Sequence, residues 1–187
     1  MPFGEHARLV ECSAFSPDGK CVALGSFDKM IRVANAQTAE LVAGPFNREH
    51  EVTAIAFSLD GMQIVSGGLN GTVHLCDAHT GVLIAVPLAG HRKFVTSVAL
   101  SLDAKRIASG SLDGTLRIWD AAETGVCVSE ALDRNEICIL CVTFSRKSNR
   151  IISSSGDGLV HIWDVEIEIL VLEPLTGHIG PVMSVAS

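Results

Sequence analysis

The 187-residue sequence contains no tyrosine, and only 5% of its residues are aromatic. Basic side chains are also few: 14 Lys and Arg stand against 21 Asp and Glu, which gives a formal net charge of −7. An acidic balance argues against nucleic acid or an anionic membrane as the main partner. The basic residues are scattered and not interleaved with aromatic residues, which disfavours a surface for single-stranded nucleic acid.

Long hydrophobic runs are absent as well. Charged residues interrupt every apolar stretch well before the ~18 residues that a membrane-spanning helix needs. The first residues, Met1 to His6, lack the basic and apolar regions of a signal peptide. Apolar residues nevertheless make up 48% of the chain, which is too many for intrinsic disorder. We therefore expect a soluble, folded, intracellular protein of the cytoplasm or nucleus that is not secreted.

Motifs for cofactors and metals are missing too. Neither of the common phosphate-binding patterns, GxxxxGK[ST] and GxGxxG, occurs in the sequence. The six cysteines, without a secretory signal, indicate reduced thiols and not disulfides. Cys138 and Cys141 form a CxxC, but their apolar stretch is typical of a strand, on which positions three apart face opposite sides. We expect no cofactor, no metal site and no catalytic residues.

What the sequence does contain is a fourfold internal repeat. A small or polar residue, an apolar residue and Ser recur at spacings of 42, 43 and 44 residues, centred on Phe15, Phe57, Leu100 and Phe144. Thirteen residues after each centre stands an acid or its amide: Asp28, Asn70, Asp113 and Asp157. Six residues later comes a dipeptide that is Trp-Asp in the last two copies. Two offsets that hold across four copies establish a genuine repeat.

Each copy is typical of short strands separated by turns. In the third copy the predicted strands are residues 95–100, 106–109, 115–119 and 126–129. Asp113-Gly114 is a signal for a tight hairpin, and the apolar Leu116 and Ile118 alternate with Arg117 after it. No apolar stretch shows the helical period. The sequence predicts an all-β fold with four antiparallel strands in each ~43-residue unit.

At Gly90-His91, Gly177-His178 and the Trp-Asp pairs beginning at Trp119 and Trp163, the chain resembles the WD-repeat β-propeller family. The resemblance implies a partial propeller over residues 1–187, with blades at 6–47, 48–89, 90–133 and 134–176 and the first strand of a fifth at 177–187. Such rings usually have about seven blades, so the ring is incomplete. The chain is then either a fragment of a longer protein or an array completed by another copy. The repeats look most like those of fungal multidomain, nucleotide-binding receptor-like proteins.

The resemblance also implies a structural hydrogen-bond relay inside a blade. The indole of Trp119 donates to Ser109, the hydroxyl donates to His91, and the imidazole meets Asp113. If the register differs by two residues, Ser111 is the alternative hydroxyl. A Ser-His-Asp triad is disfavoured because a nucleophile needs an exposed oxygen beside an oxyanion hole. Parts of the relay are expected in the other copies: His6 and Asp28; His50 and Ser66; Ser153, Asp157 and Trp163.

Propellers that resemble this chain bind partners on the face that holds the hairpins between second and third strands. The residue before the acidic position lies at each hairpin tip and is bulky and apolar in three copies: Phe27, Leu69 and Leu112. Hairpin tips are usually polar, so these residues form either a hydrophobic binding row or separate covers for their own blades. The expected rim of this face comprises Arg92, Lys93, Phe94, Arg134 and Glu136.

The function that these features favour is a non-catalytic scaffold for protein–protein interaction, built of WD repeats and part of a larger protein. The expected partner is a protein or peptide on the loop face, an upstream domain of the same full-length protein, or a second copy that completes the ring. An assembly factor of a ribonucleoprotein or degradation complex is one alternative. A propeller enzyme or enzyme subunit is another, but it would need an exposed cluster of acids, bases or metal ligands.

Overall fold

A computed structural model describes residues 6–121, 127–129, 137–166 and 169–186. The regular secondary structure of these residues consists of fifteen strands in four antiparallel sheets, which follow one another in chain order. We call these sheets blades 1 to 4. The prediction of an all-β fold built from small antiparallel blades, in an incomplete set, is confirmed.

Blades 1 and 2 have four strands each, hydrogen-bonded in sequence order. The strands of blade 1 are β1 (Val10–Phe15), β2 (Cys21–Ser26), β3 (Met30–Asn35) and β4 (Leu41–Asn47). The strands of blade 2 are β5 (Val52–Phe57), β6 (Gln63–Gly68), β7 (Thr72–Asp77) and β8 (Leu88–Ala89). We call the first strand of each blade its inner strand, because the inner strands of successive blades contact one another.

Blade 3 repeats the four-stranded order, and blade 4 has three strands. Blade 3 comprises β9 (Val95–Leu100), β10 (Arg106–Ser111), β11 (Leu116–Asp120) and β12 (Cys127–Ser129). Blade 4 comprises β13 (Ile139–Phe144), β14 (Arg150–Ser155) and β15 (Val160–Asp164). Its fourth position is occupied by two isolated bridges, Trp163 to Leu170 and Val160 to Leu175.

Three described strand boundaries differ from the prediction in blade 3: the end of β10, the start of β11 and the end of β11, which falls at Asp120. β10 continues two residues past Ser109, because the N–H of Ser111 donates to the carbonyl of Thr115 across the hairpin. β11 correspondingly begins one residue later, at Leu116. The predicted start of the fourth strand at residue 126 lies outside the described residues.

Residues 177–186, predicted as the first strand of a fifth blade, form no β-ladder. They contact blade 4 through the N–H of Val182, 3.3 Å from the carbonyl of Ser155, and through Cys141 Sγ, 3.8 Å from the carbonyl of Val185. Every inner strand of blades 1–4 pairs with the strand that follows it in the chain. Residues 177–186 make no such pairing among the described residues.

The hydrophobic core is divided into three layers, and each layer lies between two neighbouring blades. Between blades 2 and 3, for example, Val65 and Leu75 pack with Val95 and Ile107, and each of the four is at most 1% exposed. The high apolar fraction of the sequence is used here, since a blade between two others buries both faces. Packing between blades therefore carries the hydrophobic stabilisation of the fold.

A glycine in the second strand of blades 1, 2 and 3 lets the next blade approach closely. A Cβ at Gly25 would lie 2.6 Å from Val52 Cγ1, a Cβ at Gly110 would lie 2.5 Å from Ile139 Cγ2, and a Cβ at Gly67 would overlap Val95. These distances are well inside van der Waals contact, so a larger residue would force the blades apart. We call each such contact a glycine seam.

Each inner strand also carries a β-bulge near its start. The register with the second strand skips one residue in every blade: Glu11, Thr53, Thr96 and Leu140. A bulge turns its extra residue away from the regular alternation of the strand. In blades 2 and 3 the bulge residue bonds to the next blade, since the hydroxyls of Thr53 and Thr96 each donate to the following inner strand at 2.6 Å.

We expect Gly67→Ala to destabilise the protein by about 1–3 kcal/mol, because the new Cβ overlaps Val95 at the seam between blades 2 and 3. Urea unfolding measures the loss. Val95→Ala alone also lowers the free energy of unfolding, because it removes buried methyl groups. In the Gly67→Ala background the same change removes the methyl groups that overlap the new Cβ. The double variant should therefore lose less stability than the sum of the two single losses. Wild-type stability in Gly67→Ala would contradict the close approach.

Candidate functional site

The polar cluster of blade 3 brings together the four side chains named from the sequence. Trp119 Nε1 donates to Ser109 Oγ at 2.8 Å, and the same oxygen lies 2.7 Å from His91 Nε2. The other ring nitrogen, His91 Nδ1, lies 3.4 Å from a carboxylate oxygen of Asp113. One hydroxyl thus joins an indole on the third strand to an imidazole in the loop before the inner strand.

Thr115 is a further member that sequence reasoning missed. Its hydroxyl lies 2.9 Å from His91 Nδ1 and donates to Asp113, so it bridges the imidazole to the carboxylate. The second carboxylate oxygen of Asp113 accepts the N–H of Arg92 at 2.7 Å, which fixes the loop that carries His91. The signal was available: the hydroxyl stands two residues after the acid, directly after the hairpin glycine.

This cluster is buried. The side chain of His91 is 0% exposed and Ser109 is 0% exposed, so no substrate can reach the hydroxyl. Burial lowers the pKa of His91 to about 4, against the opposing effect of Asp113, and the ring is neutral at physiological pH. The alternative hydroxyl, Ser111, instead donates to the carbonyl of Lys93 at 3.2 Å and accepts the N–H of Asp113 at 3.1 Å.

Blade 1 keeps the imidazole and the acid without the rest. His6 Nδ1 lies 2.9 Å from Asp28, and Arg32 reaches the same carboxylate oxygen at 3.2 Å. Burial works to raise the pKa of Asp28, but hydrogen bonds from His6 and from two backbone N–H groups outweigh it and lower this pKa to about 2. Leu24 and Ala34 stand at the serine and tryptophan places, and His6 Nε2 has no partner among the described residues.

Blade 2 departs from the prediction at the histidine place. His50 is 40% exposed, and its nearest charged partner is Glu49 at 3.9 Å, so the structure corrects its assignment to a relay. His6 and His91 each stand four residues before the first residue of their inner strand. In blade 2 the residue four positions before Val52 is Arg48, so Arg48 occupies the position equivalent to the histidine. Arg48 is only 8% exposed and donates to the carbonyl of Asn47. Ser66 is buried, as expected for the serine of this copy.

Blade 4 keeps the indole–hydroxyl pair. Trp163 Nε1 donates to Ser153 Oγ at 2.9 Å, and the ring of His161 stacks on the indole at 5.7 Å between centroids. Asp157 accepts the N–H of Leu159 at 3.1 Å and the hydroxyl of Ser155, so it closes the hairpin. The histidine place of this copy falls on residue 135, which lies outside the described residues.

The hairpin tips converge on one concave surface, which we call the inner groove. Phe27, Leu69 and Leu112, from blades 1, 2 and 3, are half-buried and line this groove of about 590 Å³ together with Phe94, which is 44% exposed. The wall is completed by the inner strands, including all four bulge residues. All three tips thus border one shared space.

A repeated backbone bond fixes each tip. The N–H groups of Phe27, Leu69 and Leu112 donate to the carbonyl of the residue at the entry to their own inner strand, at 2.9–3.0 Å. The other predicted rim residues are placed differently. Arg92 and Lys93 are exposed but do not line the groove, and the predicted positions Arg134 and Glu136 lie outside the described residues.

The described residues contain no group of three or more His, Cys, Asp or Glu side chains arranged to hold a metal ion. The six cysteines, all of which lie within the described ranges, form no disulfide bond with one another. Burial raises the pKa of Cys12, the thiol that lines the groove, to about 12, so it carries little thiolate. Within 6–121, 127–129, 137–166 and 169–186, no helix is long and apolar enough to cross a membrane.

We expect Ser109→Ala to destabilise the protein by about 1–3 kcal/mol, because it leaves a buried indole N–H and a buried imidazole nitrogen without their shared partner. Urea unfolding followed by tryptophan fluorescence measures the loss. Ser66→Ala is the matched control: it makes the same change at the same place in blade 2, where Cys76 replaces the indole. Equal losses in the two variants would contradict a special role for the blade 3 relay.

Stability should fall as the pH drops from about 6.5, the ordinary pKa of histidine, towards about 4, the pKa of His91 in the folded state. Between these two pH values the unfolded chain binds a proton at residue 91 that the folded protein does not bind. The contribution of neutral His91 to the free energy of unfolding is therefore complete above about pH 6.5 and decreases as the pH falls to about 4. Unfolding measured across this range should be less pH-dependent in His91→Gln. His79→Gln, at an exposed histidine, should leave the wild-type dependence unchanged, and a variant curve as steep as wild type would count against His91.

Comparison with known proteins agrees with the repeat seen in the structure. The family model of the WD domain, G-beta repeat (WD40) matches residues 2–35, 45–77, 81–120 and 126–164. From the second match onward, each match starts near the fourth strand of one blade, which we call its outer strand, and ends with the third strand of the next blade. The sequence repeat is therefore shifted by one strand relative to the blade. A search of curated proteins gives no significant match. With four repeats matched over most of its length, the chain belongs to the WD40 repeat family.

Proposed function

We propose that this protein is a non-catalytic interaction scaffold that binds a segment of a partner protein in the inner groove. The observation that carries the proposal is the convergence of Phe27, Leu69, Leu112 and Phe94 on one groove of about 590 Å³. A concave apolar site with a few polar groups is the usual form of a binding pocket. Large side chains held at its centre are the usual anchors of a protein interface.

A catalytic role is not supported by the same surface. The described residues that line the groove include one carboxylate and no histidine. General acid–base chemistry needs two titratable groups within reach of a substrate. WD40 repeat domains typically act as protein-interaction scaffolds, and the groove is suited to that role.

The proposed partner is a protein or peptide, in an intracellular setting that keeps the six thiols reduced. The segment would come from an upstream domain of the same full-length protein, as the likeness to fungal receptor-like repeats suggests, or from a second copy or a separate protein. If the protein were an assembly factor of a ribonucleoprotein or degradation complex, it would bind its partner in the same groove. The net charge of −7 disfavours nucleic acid as the direct ligand.

Binding to an immobilised array of hexapeptides tests the proposal. We expect the wild-type protein to bind peptides rich in apolar residues, and the triple change Phe27→Ser, Leu69→Ser and Leu112→Ser to weaken that binding at least about tenfold, since each anchor buries apolar surface in the complex.

Leu59→Ser with Leu102→Ser is the matched control. These leucines are 60% and 54% exposed, and they follow the far ends of the inner strands of blades 2 and 3. The control should bind like wild type. A folded triple variant, checked by circular dichroism, that keeps wild-type binding would overturn the proposed function.

A further inference from the structure

We propose that the inner groove selects a segment that carries a basic side chain, and that the carboxylate of Glu11 binds that side chain. This inference rests on the proposed function and names the chemistry of the partner. The observation behind it is the set of bulges in the inner strands, because the side chain of each bulge residue lines the groove.

The bulge places equivalent residues of the four blades on the groove wall. Glu11, Thr53, Thr96 and Leu140 are the residues skipped by the ladder register, and all four line the groove. The same bulge therefore presents four side chains of three types, one Glu, two Thr and one Leu, on the groove wall. Their differences decide what the groove can recognise.

The side chains of three of the four offer neither a charge nor a free hydrogen-bond donor to a ligand. Thr53 Oγ1 donates to the carbonyl of Val95 at 2.6 Å, and Thr96 Oγ1 donates to the carbonyl of Ile139 at 2.6 Å. Both hydroxyl protons are thus used to join neighbouring blades. Leu140 is apolar, and it extends the hydrophobic wall.

Glu11 is the exception. It is exposed and lies on the groove wall, and no Lys, Arg or His of the described residues lies within ion-pair distance of its carboxylate. Arg8, which is close in sequence, is paired with Glu51 at 3.4 Å. Glu11 is the one charged residue among the described residues that line the groove, and its charge is negative.

The composition of the groove that holds Glu11 suits the side chain of Lys or Arg. Phe27 and Phe94 line the same groove, and aromatic faces attract cations. The aliphatic stem of Lys or Arg packs on apolar surface while its head group reaches a carboxylate. An acidic segment or a nucleic acid would place like charge against Glu11, and an apolar groove wall strengthens that repulsion.

The experiment uses four pools of labelled hexapeptides with apolar flanks and Arg, Lys, Gln or Glu at one fixed central position. Fluorescence anisotropy measures each pool against the wild-type protein, Glu11→Gln and Glu40→Gln. Glu40 is an exposed acid in the turn before β4, outside the groove, so Glu40→Gln makes the same change in net charge elsewhere. Single-stranded DNA serves as the nucleic-acid probe.

We expect the wild type and Glu40→Gln to bind the Arg and Lys pools about threefold to tenfold more tightly than the Gln pool, the range of a charge-assisted contact near a surface. Glu11→Gln should bind the Arg and Lys pools no more tightly than the wild type binds the Gln pool. The preference of the wild type for the Arg and Lys pools should decrease as the NaCl concentration is raised. Glu11 is exposed, so this substitution leaves the packing of the fold intact.

The outcomes separate this inference from the proposed function. Equal binding of all four pools, or a basic preference that survives in Glu11→Gln, overturns the role of Glu11 while leaving an apolar groove that binds peptides. Tightest binding of the Glu pool or of DNA overturns it as well. Absence of binding by every pool overturns the proposed function together with the inference.

Discussion

The close approach of neighbouring blades at the glycine seams is the constraint on which the rest of the structure depends. Gly25, Gly67 and Gly110 each leave room for a β-branched residue of the next inner strand. Because the core exists only as layers between blades, the spacing set at these seams determines how much apolar surface every layer buries. It also brings the inner strands near enough for Thr53 and Thr96 to bond across the seam.

The polar clusters depend on this packing and do not create it. Blade 3 holds a complete chain from Trp119 to Asp113, whereas blade 1 has lost the hydroxyl and the indole and still stacks on blade 2. A satisfied hydrogen bond adds little net stability, but a buried group that loses its partner costs more. In blade 1 that cost falls on His6 Nε2, which has no partner among the described residues, whereas His6 Nδ1 keeps Asp28.

The sequence was informative where a pattern repeats and uninformative where the backbone departs from it. Turn pairs and constant offsets predicted the sheets, the boundaries of β9 and the positions of the hairpin tips, but left open whether the tips line one groove. The assignment of His50 to the relay was wrong, because His50 stands two residues closer to its inner strand than His6 and His91 stand to theirs. Only the distance to the start of β5 identifies Arg48 as the equivalent residue. The bulge that turns Glu11 into the groove depends on pairing register, which no local pattern of apolar residues encodes.

The offset between the sequence unit and the sheet has a consequence for how such arrays change in length. A unit from residue 81 to 120 carries the outer strand of blade 2 together with the first three strands of blade 3. If recombination excised that unit, the outer strand supplied by the next unit would complete blade 2, and Gly67 would meet Ile139 in place of Val95. Every junction would again join a glycine to a β-branched residue. A gene of this kind can therefore lose or gain one coding repeat at a time without passing through a protein that contains a broken sheet.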